Sequence, residues 1–167
     1  MPAVSGLDRD QRAEARKAVV QAALLGLNNI SEVHYTQDSR RWDGIGNKRL
    51  AAKGKFPHHS DCSSYATWCL WNGLNQGFEL EDGVNGLDWT AGYTGTMLQN
   101  GKPVKKVENV RQGDCVIYGS ASPGTHVAIV VGRQDGVPMV VSHGSEEGPF
   151  FVRYDYRPDI LEIRRYI

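Results

Sequence analysis

The spacing of apolar residues changes near Val104, and that change governs which folds are open to the chain. Before it, residues 7–27 carry apolar side chains at helical intervals behind a capping Asp8, and residues 94–99 predict a short helix. Beyond it, apolar runs between turn-forming residues predict strands at 114–118, 126–131, 138–142, 150–156 and 160–167. Helices followed by a meander of strands indicate an α+β fold with an antiparallel sheet packed on helices.

The composition is that of a globular protein without a nucleic-acid or membrane partner. The 19 basic and 19 acidic residues cancel, and no apolar run is long enough to span a bilayer. We expect residues 1–167 to form a single domain, in which 1–60 supply a helix and cleft loops and 61–167 the core. The protein is expected to be a monomer. Three cysteines without a Cys-x-x-Cys pair and no signal peptide indicate synthesis in a reducing cytoplasm.

The segment from Asp61 to Ser63 opens a second predicted helix, residues 62–71, and places Cys62 in its first turn. Ser60 or Asp61 can cap this helix, and Gly73 is the predicted stop. Unpaired N–H groups at a helix start favour negative charge, so a cysteine there can form a nucleophilic thiolate. The other two cysteines lie at positions typical of the core.

Two histidines can complete the catalytic site of a thiol hydrolase. His126 opens the most apolar predicted strand, and His143 ends the next one. In an antiparallel hairpin these positions lie at the same end of the sheet. We therefore predict that His126 takes the proton of Cys62, and that His143 hydrogen-bonds the far nitrogen of the His126 ring and orients it. The backbone N–H of Cys62 or Ser63 is expected to hold the oxyanion.

Several segments occur in the order found in a known family, and the chain resembles the NlpC-type cysteine peptidases that cut peptidoglycan stem peptides. They are Asp61-Cys62-Ser63, Gly113-Asp114, the run 125–132 and Val141-Ser142-His143. The resemblance implies a papain-like core with a sheet of about five to six strands. It also implies that Cys62 is the nucleophile, His126 the base and His143 the third residue. Tyr35 matches an upstream tyrosine that assists substrate or oxyanion, and Ser64 stands where the family usually has glycine.

Flanking segments are similar to the catalytic domains of endolysins from phages of actinobacteria. They are residues 34–37, 41–44, 93–98, 154–157 and 164–166. This resemblance implies a lysin made in the host cytoplasm, released to the wall by a holin, and acting on bacterial peptidoglycan. The expected scissile bond joins γ-D-glutamate to diaminopimelate. No wall-binding module is recognised, so the chain is either a catalytic fragment or a single-domain lysin.

The same residues also allow other interpretations of the function. The CHAP family shares the Cys-His pair and includes amidases and cross-bridge endopeptidases, and a secreted antibacterial effector would use the same chemistry. An inactive wall-binding domain is the non-enzymatic alternative.

Cys62, His126 and His143 are also possible zinc ligands, but no close-spaced ligand pair is present, so we predict neither metal nor cofactor. Ser63, Tyr35 and Asp61 are expected on the substrate or oxyanion side of the site. The roles of His58 and His59, in a cleft or in solvent, are not fixed by the sequence.

Overall fold

The computed structural model describes residues 6–74, 80–144 and 148–167, and within these ranges the chain forms four α-helices and eight strands. The helices are α1 (Arg9–Asn28), α2 (Asp43–Gly46), α3 (Cys62–Leu74) and α4 (Thr94–Leu98). The strands are β1 (His34–Tyr35), β2 (His59–Ser60), β3 (Lys102–Pro103), β4 (Cys115–Tyr118), β5 (His126–Gln134), β6 (Val137–His143), β7 (Pro149–Arg153) and β8 (Ile160–Arg165).

Six of these described strands form one antiparallel sheet in the order β3-β8-β4-β5-β6-β7. The α+β prediction is confirmed, and the five predicted strands correspond to β4 through β8. Strand β3 escaped prediction because a two-residue Lys-Pro segment carries no alternating pattern. The loops predicted within residues 1–60 also contain β1 and β2, which pair in parallel.

Helix α1 begins as its cap predicts. The Asp8 carboxylate accepts from the Gln11 N–H at 2.8 Å, and the Gln11 side chain accepts from the Asp8 N–H at 3.0 Å. This reciprocal arrangement satisfies donors that a helix start leaves unpaired. The face of small residues on α1 is buried and allows close packing on α3; its members are Ala15, Ala18, Val19, Ala22, Ala23 and Gly26.

Helix α3 packs against both α1 and the sheet and is buried on nearly every side. It continues past Gly73, so the prediction that Gly73 ends the helix is wrong. The reason is steric, because a Cβ at Gly73 would lie 2.5 Å from Val19 Cγ2 and 2.6 Å from the Ala15 carbonyl oxygen. This glycine serves the close approach of two helices rather than a helix end.

The sheet buries both faces. Val127, Ile129 and Val141 face α1 and α3, whereas Ala128 and Val130 face a second, outer cluster. The register of β5 against β6 changes by one residue at a bulge between Val130 and Gly132. A one-residue change in register exchanges the faces on which paired side chains meet.

Candidate active site

Cys62 is the first residue of α3, and Asp61 caps the helix in front of it. Asp61 Oδ1 accepts from the Ser64 N–H at 2.9 Å, and the Ser64 hydroxyl accepts from the Asp61 N–H at 2.9 Å. The two bonds fix the helix start by occupying groups that would otherwise lack partners. The prediction that Ser60 or Asp61 caps this helix is confirmed, with Asp61 in that role.

Arg41 joins two loops to the start of α3, a role that the sequence reasoning missed. Its guanidinium lies 3.3 Å from the Asp61 carboxylate and 3.4 Å from Ser63 Oγ. It also donates to the Gly92 carbonyl at 2.7 Å. Ser63 Oγ donates to Asp61 Oδ1 at 3.2 Å, so its side chain is held away from an independent role. In the sequence, Arg41 stands in a polar loop within residues 41–44, one of the segments similar to phage endolysins. Its partners lie 20 to 51 residues further along the chain.

Cys62 is partly exposed as a residue, and its thiol meets opposing influences on its pKa. Burial and the Asp61 carboxylate raise the pKa to about 11, while the backbone of Val127, Ser63 and Cys62 itself opposes the rise. The predicted help from the helix start is therefore present but outweighed. A neutral thiol is the resting form near pH 7, so forming the nucleophile requires a base.

His126 begins β5 immediately before Val127, whose backbone reaches the Cys62 sulfur. The histidine is 6% exposed, and its Nε2 lies 2.6 Å from Ser142 Oγ. Its ring packs against its cross-strand neighbour Tyr118, with ring centroids 5.7 Å apart. The predicted base therefore directly precedes Val127, the residue whose backbone contacts the thiol.

His143 ends β6 and is 1% exposed. Its Nε2 lies 3.1 Å from the Ser60 carbonyl oxygen, and the rings of Tyr35 and Tyr65 approach it edge-on at 5.5 and 5.4 Å. Burial lowers the pKa of His143 to about 4, against smaller opposing effects from nearby backbone groups. A neutral imidazole therefore donates to the Ser60 carbonyl and ties the segment before Cys62 to the sheet.

The predicted hydrogen bond between His126 and His143 is wrong. Ala128 pairs with Ser142, so Ser142 shares a sheet face with His126, and His143 points to the helix side. The contact of His143 Nε2 is with Ser60, and its Nδ1 has no hydrogen-bond partner within the described ranges. The two histidines lie at the same end of the sheet, as expected, but on opposite faces.

The short parallel pair of strands places the remaining predicted residues. Tyr35 of β1 pairs with Ser60 of β2, and the Tyr35 hydroxyl accepts from Gln37 Nε2 at 3.1 Å. His58 is exposed beside Phe56, with ring centroids 5.6 Å apart. His59 lines an open groove of about 660 Å³. The other residues of that groove are Ser39, Arg40, Trp42, Asp43, Gly46, Asn47 and Thr90.

Two negative findings concern residues 6–74, 80–144 and 148–167. No group of three His, Cys, Asp or Glu side chains there could hold a metal ion. In the same ranges, no helix has the length and apolar character needed to cross a membrane.

Two solved structures share this architecture. NlpC2 from Trichomonas vaginalis superimposes with a TM-score of 0.56 at 15% identity, over 92% of this chain and 46% of that one. The chain has an NlpC-type fold. NlpC1 from the same organism matches that fold with a TM-score of 0.52 at 17% identity, over 94% of this chain and 44% of that one. The chain thus spans less than half the length of either protein. No family model matches the sequence, and a search of curated proteins gives no match.

The NlpC-type fold supports the resemblance found in the sequence at the level of architecture. Helix α3, with a cysteine at its start, packs on β5, which begins with a histidine. A fold by itself does not define a reaction, so function has to be argued from the residues of the site.

Proposed function

We propose that this protein is a cysteine peptidase that hydrolyses an amide bond in the stem peptide of bacterial peptidoglycan. The observation that carries the proposal is the position of the Cys62 sulfur, at a helix start and against the Val127 backbone beside His126. Cys62 is partly exposed as a residue, whereas Cys69 and Cys115 are buried in the core. Of the three cysteines, Cys62 alone combines partial exposure with a backbone contact to the residue that follows a histidine.

In the proposed mechanism His126 acts as a general base because the Cys62 thiol rests in its neutral form. The thiol proton passes to His126 while sulfur bonds to the amide carbon, and backbone N–H groups of Cys62 and Ser63 stabilise the oxyanion. The carbon–nitrogen bond then breaks, and His126 returns the proton to the leaving amine. Water attacks the thioester with His126 again as base, which releases the acid and regenerates the thiol.

The preferred substrate follows from the sequence resemblance. NlpC-type peptidases are expected to cut the γ-D-glutamyl–diaminopimelate bond, and the flanking segments favour a phage lysin that reaches the wall after holin release. We place Tyr35 and Asp61 on the substrate side, since Tyr35 pairs with Ser60 and Asp61 immediately precedes the nucleophile. Amidase or cross-bridge cleavage of the CHAP kind would use the same Cys62 and His126.

The test is mass spectrometry of the soluble products from diaminopimelate-type peptidoglycan. Wild type should release stem-peptide fragments whose masses identify the bond, and Cys62→Ala should release none. Cys69→Ala is the matched control, because it removes a buried thiol from the same helix and should retain activity. Circular dichroism establishes that each variant is folded.

Three observations would change the proposal. Equal product from wild type and Cys62→Ala would remove the thiol mechanism. No product from folded wild type, together with sedimentation of the protein on intact walls, would favour the inactive wall-binding domain. A neighbouring immunity gene in place of a holin gene would favour an antibacterial effector over a lysin.

A further inference from the structure

The His126 ring makes a short hydrogen bond with Ser142. Its Oγ lies 2.6 Å from His126 Nε2 and 3.1 Å from the Tyr156 hydroxyl. Ser142 is completely buried, whereas Tyr156 is 36% exposed. The three polar groups form a chain that runs from the sheet end to the protein surface.

We infer that Ser142, rather than His143, is the positioning residue that fixes the His126 ring, with Tyr156 as the next member of the chain. The inference rests on the proposed function, because it assigns His126 the role of base. The register supports it, since Ser142 is on the same sheet face as His126 and His143 is on the other.

The number of available protons indicates which group donates in each of these hydrogen bonds. At 2.6 Å a single proton lies between Nε2 and Ser142 Oγ. If Nε2–H donates to Ser142, the serine hydroxyl donates to Tyr156, and the lone pair of the neutral ring lies on Nδ1, the nitrogen proposed to accept the thiol proton. After proton transfer the ring carries N–H groups on both nitrogens, and Ser142 is still a suitable acceptor. One arrangement therefore serves both protonation states of the base.

Packing restrains the ring in addition to the hydrogen bond. Tyr118 lies against His126, and the Tyr118 hydroxyl donates to the Tyr154 carbonyl at 2.6 Å. The Arg157 guanidinium sits 5.3 Å from the Tyr118 ring centre, on the same outer face. Rotation of the His126 ring away from Ser142 would have to displace this aromatic neighbour, so the hydrogen bond acts on a ring that is already confined.

The test measures the tautomer of His126 by ¹⁵N NMR of the histidine rings, with His126→Gln used to assign the signals. Wild type at neutral pH should carry the proton on Nε2. In Ser142→Ala the two tautomers should become mixed, and Tyr156→Phe should show a smaller change in the same direction. Tyr154→Phe is the matched control, since the contact with Tyr118 is made by the Tyr154 backbone carbonyl and not by its side chain.

Turnover provides the second readout. Ser142→Ala should lower kcat about ten- to hundredfold with KM unchanged, as expected for loss of a hydrogen bond to a group that becomes charged. A wild-type proton on Nδ1, or an unchanged tautomer in both Ser142→Ala and Tyr156→Phe, would overturn the inference. The NMR result needs no substrate, so failure of the proposed hydrolysis can be told apart from failure of this assignment.

Discussion

The two histidines at the end of the sheet differ in what surrounds them. His126 contacts the Ser142 hydroxyl, which in turn contacts the hydroxyl of the partly exposed Tyr156. It also directly precedes Val127, the residue whose backbone contacts the Cys62 thiol. His143 meets two aromatic edges and one carbonyl, and burial keeps it neutral. The comparison teaches that proximity in a hairpin does not give two residues a shared task. We propose that His126 exchanges protons with the thiol, whereas His143 ties the Ser60 backbone to the sheet.

The largest expected difference between them is in turnover. His126→Ala should lower kcat by about a hundredfold or more, because a general base contributes roughly 10²–10⁴ to a rate. His143→Gln should lower it less than tenfold, since an amide can still donate to the Ser60 carbonyl. Steady-state assays on folded variants check this ranking, and equal losses would break the division of roles.

A second difference should be visible in stability against pH. The pKa of His143 falls from 6.5 to about 4 on folding, so the unfolded chain binds more protons between these values. Stability is therefore lost as pH falls through this window, by about 3 kcal/mol in total. His143→Gln cannot titrate, and its unfolding free energy should decline less than that of wild type by that amount.

Urea unfolding of both proteins at several pH values between 7 and 4 gives the comparison directly. All other titrating groups are common to the two proteins and cancel in the difference. Parallel curves would mean that His143 is not held neutral by burial.

The comparison extends to the Cys62 thiol, whose proton His126 is proposed to accept. Asp61→Asn removes the charge that helps raise the pKa of Cys62 to about 11, but keeps an oxygen to accept the Ser64 N–H. We expect the pH of half-maximal iodoacetamide alkylation to fall by about one unit. Asp135→Asn, at the distant β5–β6 turn, is the control and should not alter the profile. An unchanged profile in Asp61→Asn would leave burial as the sole cause.

The smallest expected effect concerns Ser60. Its carbonyl binds His143, whereas its buried hydroxyl has no hydrogen-bond partner among the described residues. Ser60→Ala should leave the free energy of unfolding unchanged or raise it by up to about 1 kcal/mol, since an unsatisfied buried hydroxyl is removed. Thermal and urea unfolding measure this change. A loss of stability would show that the hydroxyl, and not only the backbone, supports this histidine.

Much of the fold could be predicted because it depends on local pattern. The Asp8 cap, the helix that starts at Cys62 and the strand that starts at His126 all follow from residues near one another in sequence. The extension of α3 past Gly73 could not be predicted in this way. It depends on how closely α1 approaches, and short-range spacing carries no information about that distance.

The candidate site divides along the same line. Cys62 and His126 were predicted as site residues from their positions at element starts, but Arg41, Ser142 and Tyr156 were not. Arg41 contacts residues 20 and more positions away, and a serine beside a predicted histidine gives no signal of its own. Side-chain direction in a strand depends on pairing with another strand, which the sequence of either strand alone does not specify.

By itself the sequence determined an α+β chain with a cysteine at a helix start and two histidines at one end of a sheet. Tertiary structure decided which histidine and which serine share a face. Below the bulge Val137 pairs with Gln134, and above it Ser142 pairs with Ala128. Without that one-residue shift His143 would oppose Ala128 and lie on the face of His126. The physical reason is that side chains alternate along a strand, so one extra residue in β5 exchanges the faces of everything beyond it.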